Sequence, residues 1–321
     1  MKNNIIITSA GRRVELVKSF QSELKSIFLN AKLYTTDMEP SLSSACMCSD
    51  GFWKTPYVND DSYIETLLQI CIENDIGMVI PTIDTELEVL SENINLFENK
   101  GIFVIISSKV LIDNCRDKRK TGGLFESLGI NYPEIFDREN LSFPCLVKPY
   151  DGSCSLGVNI INSKSNLDPD ILNDEKMMFM ELIGEQYTEY TVDVYYSREG
   201  SLKCMVPRER IEVRSGEVSK GVTRKGDIYD FLLPKLNKIN GAKGCLNIQI
   251  FADINKRSFY GLEVNPRFGG GYPLTHSSGG NYIKWLLKEY FLSEDVQFFD
   301  QWESDLLMLR YDAKELTHGY K

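Results

Sequence analysis

Carboxylate, amide and guanidinium groups cluster in residues 260–271, which have the pattern of a strand running into a glycine-rich loop. Because side chains alternate along a strand, Glu263 and Asn265 are predicted to share one face with Gly261. Hard oxygen ligands of this kind suit Mg²⁺, which leaves its other positions to water and substrate phosphate. Arg267, just past the strand, would add a cation beside that metal. A half-buried strand with its polar residues in water is the alternative.

A second polar strand is predicted immediately upstream, at residues 246–253, and the polar turn 254–258 is typical of an antiparallel hairpin. In such a hairpin Gln249 would lie opposite Glu263 and bring an amide oxygen to the same metal site. Zinc is a poor alternative, because the chain has only two histidines to offer as ligands. We expect one of them, His276, to be structural or to contact a substrate rather than to act as a base.

Groups that could bind phosphate are predicted farther upstream. Lys148 ends an apolar strand and leads into the small-residue loop 152–157, whose backbone N–H groups can fold over phosphate oxygens. A helix is predicted over residues 113–128, and Lys118 lies near its start, where a cation is unfavourable to the helix dipole. That cation therefore needs a bound anion or an exposed position. An ordinary turn and a solvated lysine are the alternatives for these two features.

The composition narrows the class of protein. The 321 residues are enough for two or three compact units, and the net charge of −10 without a basic stripe argues against a nucleic-acid partner. No stretch approaches the roughly 20 apolar residues of a membrane span, and the N-terminus lacks a signal-peptide pattern, so the expected location is cytoplasmic. The eight cysteines are scattered without a C-x-x-C pair and are expected to be reduced thiols.

Strand and helix patterns alternate through about the first 110 residues, which predicts a parallel sheet covered by helices, as in Rossmann-like units. Strands are expected at residues 4–8, 32–36, 77–81 and 102–106. The first turn lacks G-x-G-x-x-G, so an NAD-dependent oxidoreductase is disfavoured.

Three charged residues in this unit stand where ligands collect. Arg12 and Arg13 precede a helix, where they could hold an anion or lie in a solvated first turn. Asp84 follows a strand, and its pattern favours helix capping over a place in a ligand site.

Beyond residue 176 the pattern changes to β-branched and aromatic runs typical of strands. Arg208 and Arg210 share one face of the run 202–213 by parity, and Lys220 lies in a polar loop that follows. Helices are expected at 227–239 and 277–291. The residues from 293 onward receive no assignment.

The order of these motifs resembles the ATP-grasp superfamily, in particular the branch related to the synthetase halves of the carbamoyl-phosphate synthase large subunit and to carboxylate-amine ligases. The matching segments include Glu263-Val-Asn-Pro-Arg267 and cover most of the chain: 8–13, 81–87, 117–118, 147–149, 152–158, 180–184 with 189–193, 247–249 and 263–267. The resemblance implies a mixed α/β and α+β chain, with a Rossmann-like pre-ATP-grasp domain followed by a two-subdomain ATP-grasp fold. The expected boundaries are 1–112 for the first domain, 113–298 for the ATP-grasp domain (smaller lid part 113–180, larger part 181–298) and 299–321 for a C-terminal tail.

The resemblance also implies residue roles. ATP phosphates would meet Lys118, Lys148, Gly152, Ser153, Cys154, Ser155 and Gly157. The adenine edge would meet the backbone of Glu181, Leu182 and Ile183, and the ribose would meet Glu189. One or two ions of Mg²⁺, with Mn²⁺ as the alternative, would be held by Gln249, Glu263 and Asn265. Arg267, Lys148 and Lys220 would be catalytic, and an anionic substrate would approach Arg12, Arg13, Asp84, Arg208 and Arg210. This sequence departs from the family in Cys154, within the phosphate loop, and in a long segment before Glu189, which makes Glu185 an alternative ribose ligand.

The function that the resemblance implies is ATP-dependent ligation of a carboxylate to an amine, or to a thiol, through an acyl phosphate, with release of ADP and phosphate. The expected partners are a small carboxylic acid and an amine, with no nucleic acid or membrane, and the resemblance implies a homodimer. A bicarbonate-phosphorylating enzyme of the carbamoyl-phosphate type and a non-catalytic ATP-binding sensor are the alternatives.

Overall fold

The computed structural model of the protein describes residues 2–152, 157–214 and 216–318. The first unit consists of β1 (Asn4–Ile7), α1 (Val14–Ile27), β2 (Leu33–Asp37), α2 (Ser44–Cys48), β3 (Phe52–Lys54), α3 (Tyr63–Glu73), β4 (Ile76–Ile80), α4 (Asp84–Glu92), α5 (Ile94–Glu98) and β5 (Phe103–Val104). Its five strands form one parallel sheet in the order β3-β2-β1-β4-β5. The predicted parallel sheet is therefore confirmed.

The core of this sheet follows from its apolar central strands. Ile5, Ile6 and Ile7 are fully buried, because helices cover both faces and leave no side of the strand in water. The sequence patterns missed the edge strand β3 and the short helix α2. The helix predicted to run from 84 to about 97 is interrupted at Asn93, which lies between α4 and α5.

The next unit consists of α6 (Lys109–Arg116), α7 (Lys118–Ser127), β6 (Ile135–Phe136), β7 (Cys145–Pro149), β8 (Asn159–Ile161), α8 (Pro169–Asn173) and β9 (Met177–Glu181). Its strands form an antiparallel sheet in the order β6-β9-β7-β8. The single helix predicted over 113–128 is wrong, since Asp117 separates two helices and caps the second by accepting a hydrogen bond from the Arg119 N–H. This acidic cap offsets the cations in the first turn of α7.

The largest sheet is built from β10 (Thr188–Tyr196), β11 (Leu202–Arg214), β12 (Glu217–Thr223), β13 (Gly244–Asp253), β14 (Ser258–Asn265) and β15 (Leu307–Leu309), with α9 (Asp227–Leu236), α10 (Tyr272–Ser277) and α11 (Tyr282–Phe291). All pairs are antiparallel, in the order β14-β13-β10-β11-β12-β15. The polar loop predicted around Lys220 is instead strand β12. The helix expected at 277–291 begins only at Tyr282, because a segment with Gly279 and Gly280 separates it from α10, a helix that the sequence patterns missed.

The C-terminal segment, which received no assignment from its sequence, completes this sheet. Strand β15 pairs with β12, and Trp302 just before it is only 3% exposed. Among the helices of the described residues, none has both the length and the apolar character that crossing a membrane requires.

A β-bulge in the hairpin decides which face carries the polar residues. Gln249 pairs with Glu263, but the next residue, Ile250, pairs with Gly261, so Leu262 is the extra residue on β14. The prediction that Gly261 shares a face with Glu263 is therefore wrong. Gly261 lies on the opposite face, where an added Cβ atom would overlap the ring of Phe125.

Gly261, which packs against helix α7, and Gly123, which lies within that helix, give a matched test of this packing. Gly261→Ala is expected to lower the free energy of unfolding by about 1–3 kcal/mol, because Phe125 must move to admit the methyl group. Gly123→Ala, within α7 and with no atom near the new methyl group, is expected to raise it by about 1 kcal/mol. Denaturant midpoints measure both, and equal midpoints would contradict the placement of Gly261.

Candidate functional site

A cavity of about 740 Å³ lies where the three units meet. Its walls come from the loops after β1 and β4, from helices α6 and α7, from strands β7, β10, β11, β13 and β14, and from the glycine-rich loop after β14. Seven basic side chains line it, against four acidic ones: Arg13, Arg116, Lys118, Lys148, Arg208, Arg210 and Arg267, with Asp84, Glu189, Glu217 and Glu263. The cavity is thus locally basic in a chain whose net charge is −10.

The hairpin places the predicted oxygen ligands on one wall. Gln249 lies opposite Glu263 as predicted, and Asn247 lies opposite Asn265. The Asn265 amide donates a hydrogen bond of 3.0 Å to Glu263 Oε1, and the Asn265 side-chain oxygen accepts one of 3.3 Å from Arg267 Nη2. One carboxylate with neighbouring amide oxygens fits Mg²⁺, since this ion accepts few protein ligands and completes its shell with water and phosphate. No cluster of three His, Cys, Asp or Glu suited to another metal occurs within the described ranges.

Two lysines line another wall of the cavity. Burial lowers the pKa of Lys148 to about 8, with a further contribution from the charge of Lys118, while Glu263 opposes the shift. Lys118 donates a hydrogen bond to the Gly152 carbonyl, and its own N–H bonds the Tyr150 carbonyl at 2.9 Å. Two poorly compensated cations in one pocket favour a bound anion. Residues 153–156, including the predicted contacts Ser153, Cys154 and Ser155, lie outside the described residues.

Glu189 lines the cavity and is paired with Arg210 at 2.8 Å. Burial raises the pKa of Glu189, and the charge of Arg210 opposes that shift. Glu185 is exposed and does not line the cavity, so of the two alternatives only Glu189 lies at its wall.

The segment predicted to bind adenine is half-buried at the end of β9, beyond the residues that line the cavity. It comprises Glu181, Leu182 and Ile183. The Glu181 N–H donates to the Glu134 carbonyl at 2.8 Å, and its carboxylate accepts from the Glu134 N–H at 3.3 Å. The Glu181 N–H is therefore occupied within the protein.

Arg267 and Asp84 form an ion pair between the first unit and the hairpin. Arg267 Nη2 and Nε donate to Asp84 Oδ2 at 2.6 and 3.2 Å. Burial alone would lower the pKa of Arg267, but Asp84 raises it above its ordinary value. The capping interpretation of Asp84 is wrong, because α4 has Ile83 at its N-cap position and no side-chain cap. Asp84 instead faces the cavity.

Arg208 was expected to meet a substrate, but in the structure its side chain is buried and paired within the protein. It is 1% exposed and makes two hydrogen bonds, of 2.9 and 3.1 Å, to the fully buried carboxylate of Asp193. The same carboxylate accepts from the side chains of Asn247 and Thr275, at 2.8 and 2.6 Å. This network holds β10, β11, β13 and α10 together, while Arg208 Nη1 is buried and has no hydrogen-bond partner among the described residues.

The two arginines after β1 differ in burial and in their contacts. Arg13 lines the cavity and donates to the carbonyls of Thr82 at 3.1 Å and Phe268 at 3.3 Å. Burial, together with the charge of Arg267, lowers the pKa of Arg13 to about 10. Arg12 is exposed and does not itself line the cavity, but it lies 3.5 Å from Glu217, which does.

Two more residues that the sequence singled out are not brought to the cavity. Lys220 is exposed and forms an ion pair of 2.6 Å with Glu212, so its predicted catalytic place is not supported by the structure. His276 lies in α10 with Nε2 4.0 Å from Glu23, and burial lowers its pKa. The cysteines within the described ranges are free thiols.

Sequence reasoning missed Asp193, on which Arg208 depends. A signal was present, because Asp193 interrupts the apolar run Val192–Tyr196 of a predicted strand, and a carboxylate in such a place needs a buried partner. The partner of Asp84 could not be found in this way, since Arg267 lies 183 residues away.

Comparisons with known proteins agree with this architecture. The family model described as "PylC-like, N-terminal domain" matches residues 5–105, and the model described as "ATP-grasp in the biosynthetic pathway with Ter operon" matches residues 173–311. No curated protein resembles the chain closely enough in sequence to count as a match.

Three solved structures illustrate the likeness in fold. The biotin carboxylase domain of Hydrogenobacter thermophilus 2-oxoglutarate carboxylase, a dimer in complex with MgADP, ADP and bicarbonate, has a TM-score of 0.73 at 16% identity, over 95% of this chain and 73% of that chain. N5-carboxyaminoimidazole synthetase from Staphylococcus aureus, complexed with ADP, has a TM-score of 0.67 at 16% identity, over 92% and 78%. L-amino acid ligase from Bacillus licheniformis has a TM-score of 0.66 at 16% identity, over 89% and 73%. The pyruvate carboxylase from Rhizobium etli is a longer protein, and this chain covers 27% of its length.

The fold, in which a parallel-sheet unit precedes two antiparallel sheets, resembles that of ATP-grasp proteins. The family models agree with it in order, since a PylC-like N-terminal domain model matches residues 5–105 and an ATP-grasp model matches residues 173–311.

The buried carboxylate of Asp193 offers a stability test of the site's framework. Asp193→Ala is expected to lower the free energy of unfolding by about 3–5 kcal/mol, because it leaves the Arg208 charge buried without its partner. The double variant Asp193→Leu/Arg208→Met should recover part of that loss by removing the charge. Asp312→Ala, which breaks an exposed pair with Arg214, is the control and should leave the unfolding midpoint unchanged. A double variant no more stable than Asp193→Ala would contradict this account.

Proposed function

We propose that the protein is an ATP-dependent ligase that joins a carboxylic acid to an amine through an acyl phosphate and releases ADP and phosphate. The proposal depends on one observation. The paired residues Gln249 and Glu263, the cations Lys118 and Lys148, and Arg267 all line the same cavity. These are the groups that phosphoryl transfer to a carboxylate requires, since positioning and charge compensation supply most of its catalysis. The ADP complexes of two proteins of similar fold also support a nucleotide in this chain.

In this proposal each wall of the cavity has a separate task. Lys118 and Lys148 bind the phosphates, and Glu189 is placed to meet the ribose. Mg²⁺, or Mn²⁺ in its place, would be held by Glu263, Asn265 and Gln249 and would offset charge on the phosphate oxygens. Arg267 orients the acid and then the acyl phosphate formed from it. The basic lining stabilises the anions throughout.

Two alternatives share parts of this site. A bicarbonate-phosphorylating enzyme would use the same walls, and the similar carboxylase domain from Hydrogenobacter thermophilus is itself in complex with bicarbonate. It predicts ADP release with bicarbonate and no organic acid. A non-catalytic sensor predicts ATP binding without turnover. The domain boundaries at 112, 180 and 298, the homodimer and the cytoplasmic location remain predictions.

The central test is the dependence of ADP release on both substrates. We expect ADP release only when a carboxylic acid and an amine are both present, and Glu263→Gln is expected to lower its rate by about 10²–10³-fold because a charged ligand is lost. Glu212→Gln, in the same sheet but outside the cavity, is the matched control and should retain the rate. A coupled ADP assay measures both variants. Full turnover by Glu263→Gln would refute the proposed site.

The depressed pKa of Lys148 predicts a pH dependence of nucleotide binding. Below pH 8 the ammonium is charged and can bind phosphate; above about pH 8 its charged fraction falls about tenfold per pH unit. The affinity for a non-hydrolysable ATP analogue, measured by calorimetry between pH 6.5 and 9.5, should therefore weaken along the same curve. Lys148→Arg should remove this dependence, because arginine stays charged.

The lowered pKa of Lys148 also makes the stability of the nucleotide-free protein depend on pH. Because the native pKa of Lys148 lies below the unfolded value, the unfolded chain binds more protons between about pH 8 and 10.5, and this residue's contribution to stability rises with pH in that window. Lys120→Arg, on the exposed face of α7, is the control for binding and for stability. Identical pH profiles for the native protein and Lys148→Arg would argue against phosphate binding by Lys148.

A further inference from the structure

The ion pair between Arg267 and Asp84 leaves one carboxylate oxygen without a donor. The two hydrogen bonds that Arg267 donates to Asp84 both converge on Oδ2, although an arginine fork and a carboxylate commonly pair through both oxygens. Asp84 Oδ1 is buried and accepts no hydrogen bond from any of the described residues. A buried acceptor left in this state is costly unless a ligand or water supplies the donor.

The surroundings of Asp84 indicate what kind of donor is missing. The residue lines the cavity, and its side chain keeps 22% of its surface exposed, so part of the carboxylate group borders the cavity even though Oδ1 itself is buried. Its other oxygen contacts the guanidinium that, in the proposed reaction, orients the acyl phosphate. A group bound at Oδ1 would therefore lie next to the reacting carbonyl carbon. The free position accepts N–H or O–H hydrogens and carries negative charge, which suits an ammonium group.

We propose that Asp84 Oδ1 binds the amine substrate as its ammonium ion and accepts the proton that the amine must lose before it attacks the acyl phosphate. This inference rests on the proposed function and adds a residue for its second step. The ligand class is ammonia or a primary or secondary amine, because the ammonium nitrogen must carry at least two hydrogens, one for Asp84 and one for the departing phosphate. Asp84 thus touches the nucleophile and is a catalytic residue in this step.

The proton and electron balance of the step is complete without a further reagent. The ammonium nitrogen gives one proton to Asp84 Oδ1, and the freed lone pair forms the C–N bond. The C–O bond to the phosphoryl group then breaks, and its electron pair leaves with phosphate. The second nitrogen proton goes to the departing phosphate, so the products are the amide, hydrogen phosphate and one proton held by Asp84, which is released to solvent before the next turnover.

Hydroxylamine separates this role from a merely structural one. As a largely neutral nucleophile it traps an acyl phosphate as a hydroxamate without first giving up a proton. The acids tested are succinate, glutarate and the common amino acids, each incubated with ATP and Mg²⁺. Each acid is combined either with hydroxylamine or with an amine, and the amines are the same amino acids and ammonium chloride. Ferric hydroxamate colour reports the first step, and mass spectrometry of the amide reports the whole reaction.

Asp84→Asn keeps the size of the side chain and its ability to accept a hydrogen bond from Arg267 but removes the base. We expect amide formation to fall by about 10²-fold or more while hydroxamate formation falls less than about tenfold, and the pH profile for the amine to move toward higher pH, where free amine is abundant. Asp84→Glu should restore part of the amide rate. Glu88→Gln, an exposed change of the same charge in the same helix, is the control.

Three other outcomes would overturn the inference, and each would identify a different cause. An equal loss of hydroxamate and amide by a folded Asp84→Asn variant would mean that Asp84 only orients Arg267. Full amide formation by that variant would mean that another group takes the proton. No hydroxamate from the native protein with any acid, despite ATP binding, would refute the proposed function itself.

Discussion

The pairing of β13 with β14 is the constraint on which the site depends. In an antiparallel pair, a shift of one residue moves every side chain to the other face of the sheet. The bulge at Leu262 makes this shift once, within the strand, so that Gly261 and Phe259 face the apolar side while Glu263 and Asn265 face the cavity. The close contact of Gly261 with Phe125 then resists slippage, because no larger residue fits there. A packing contact on one face thereby positions the oxygen ligands on the other.

The site is completed only by contacts between units. The loops after β1 and β4 contribute Arg13 and Asp84, and both bond to the segment that follows the hairpin, at Phe268 and Arg267. These bonds use charged groups at the carboxyl ends of parallel strands, which is where ligands collect in such sheets. The first unit therefore supplies part of the cavity wall. In the proposed function, a change in its loops would alter substrate specificity while the hairpin wall is left unchanged.

Much of this architecture was predictable because its signals are local. Apolar runs alternating with helical patterns predicted the parallel sheet, and the polar turn 254–258 predicted the hairpin that places Gln249 opposite Glu263. The elements that were missed depend on distant partners. Strand β15 has only three residues and forms against β12, more than 80 positions upstream. Asp84 has the sequence context of a helix cap, and only the folded chain reveals that Arg267 competes successfully for its carboxylate.

Arg208 and Arg210 show why local signals cannot distinguish a structural residue from one that binds a ligand. They lie two positions apart on one face of β11, have the same charge and line the same cavity. Arg208 meets Asp193, a carboxylate with no access to water, and a charge buried this deeply is stable only with such a partner. Arg210 meets Glu189, which keeps part of its surface in the cavity and can exchange that contact for a ligand. Their difference lies in the exposure of the acidic partners on β10. Because that exposure is set by packing across three strands, it follows from the tertiary structure and leaves no trace in the sequence of β11.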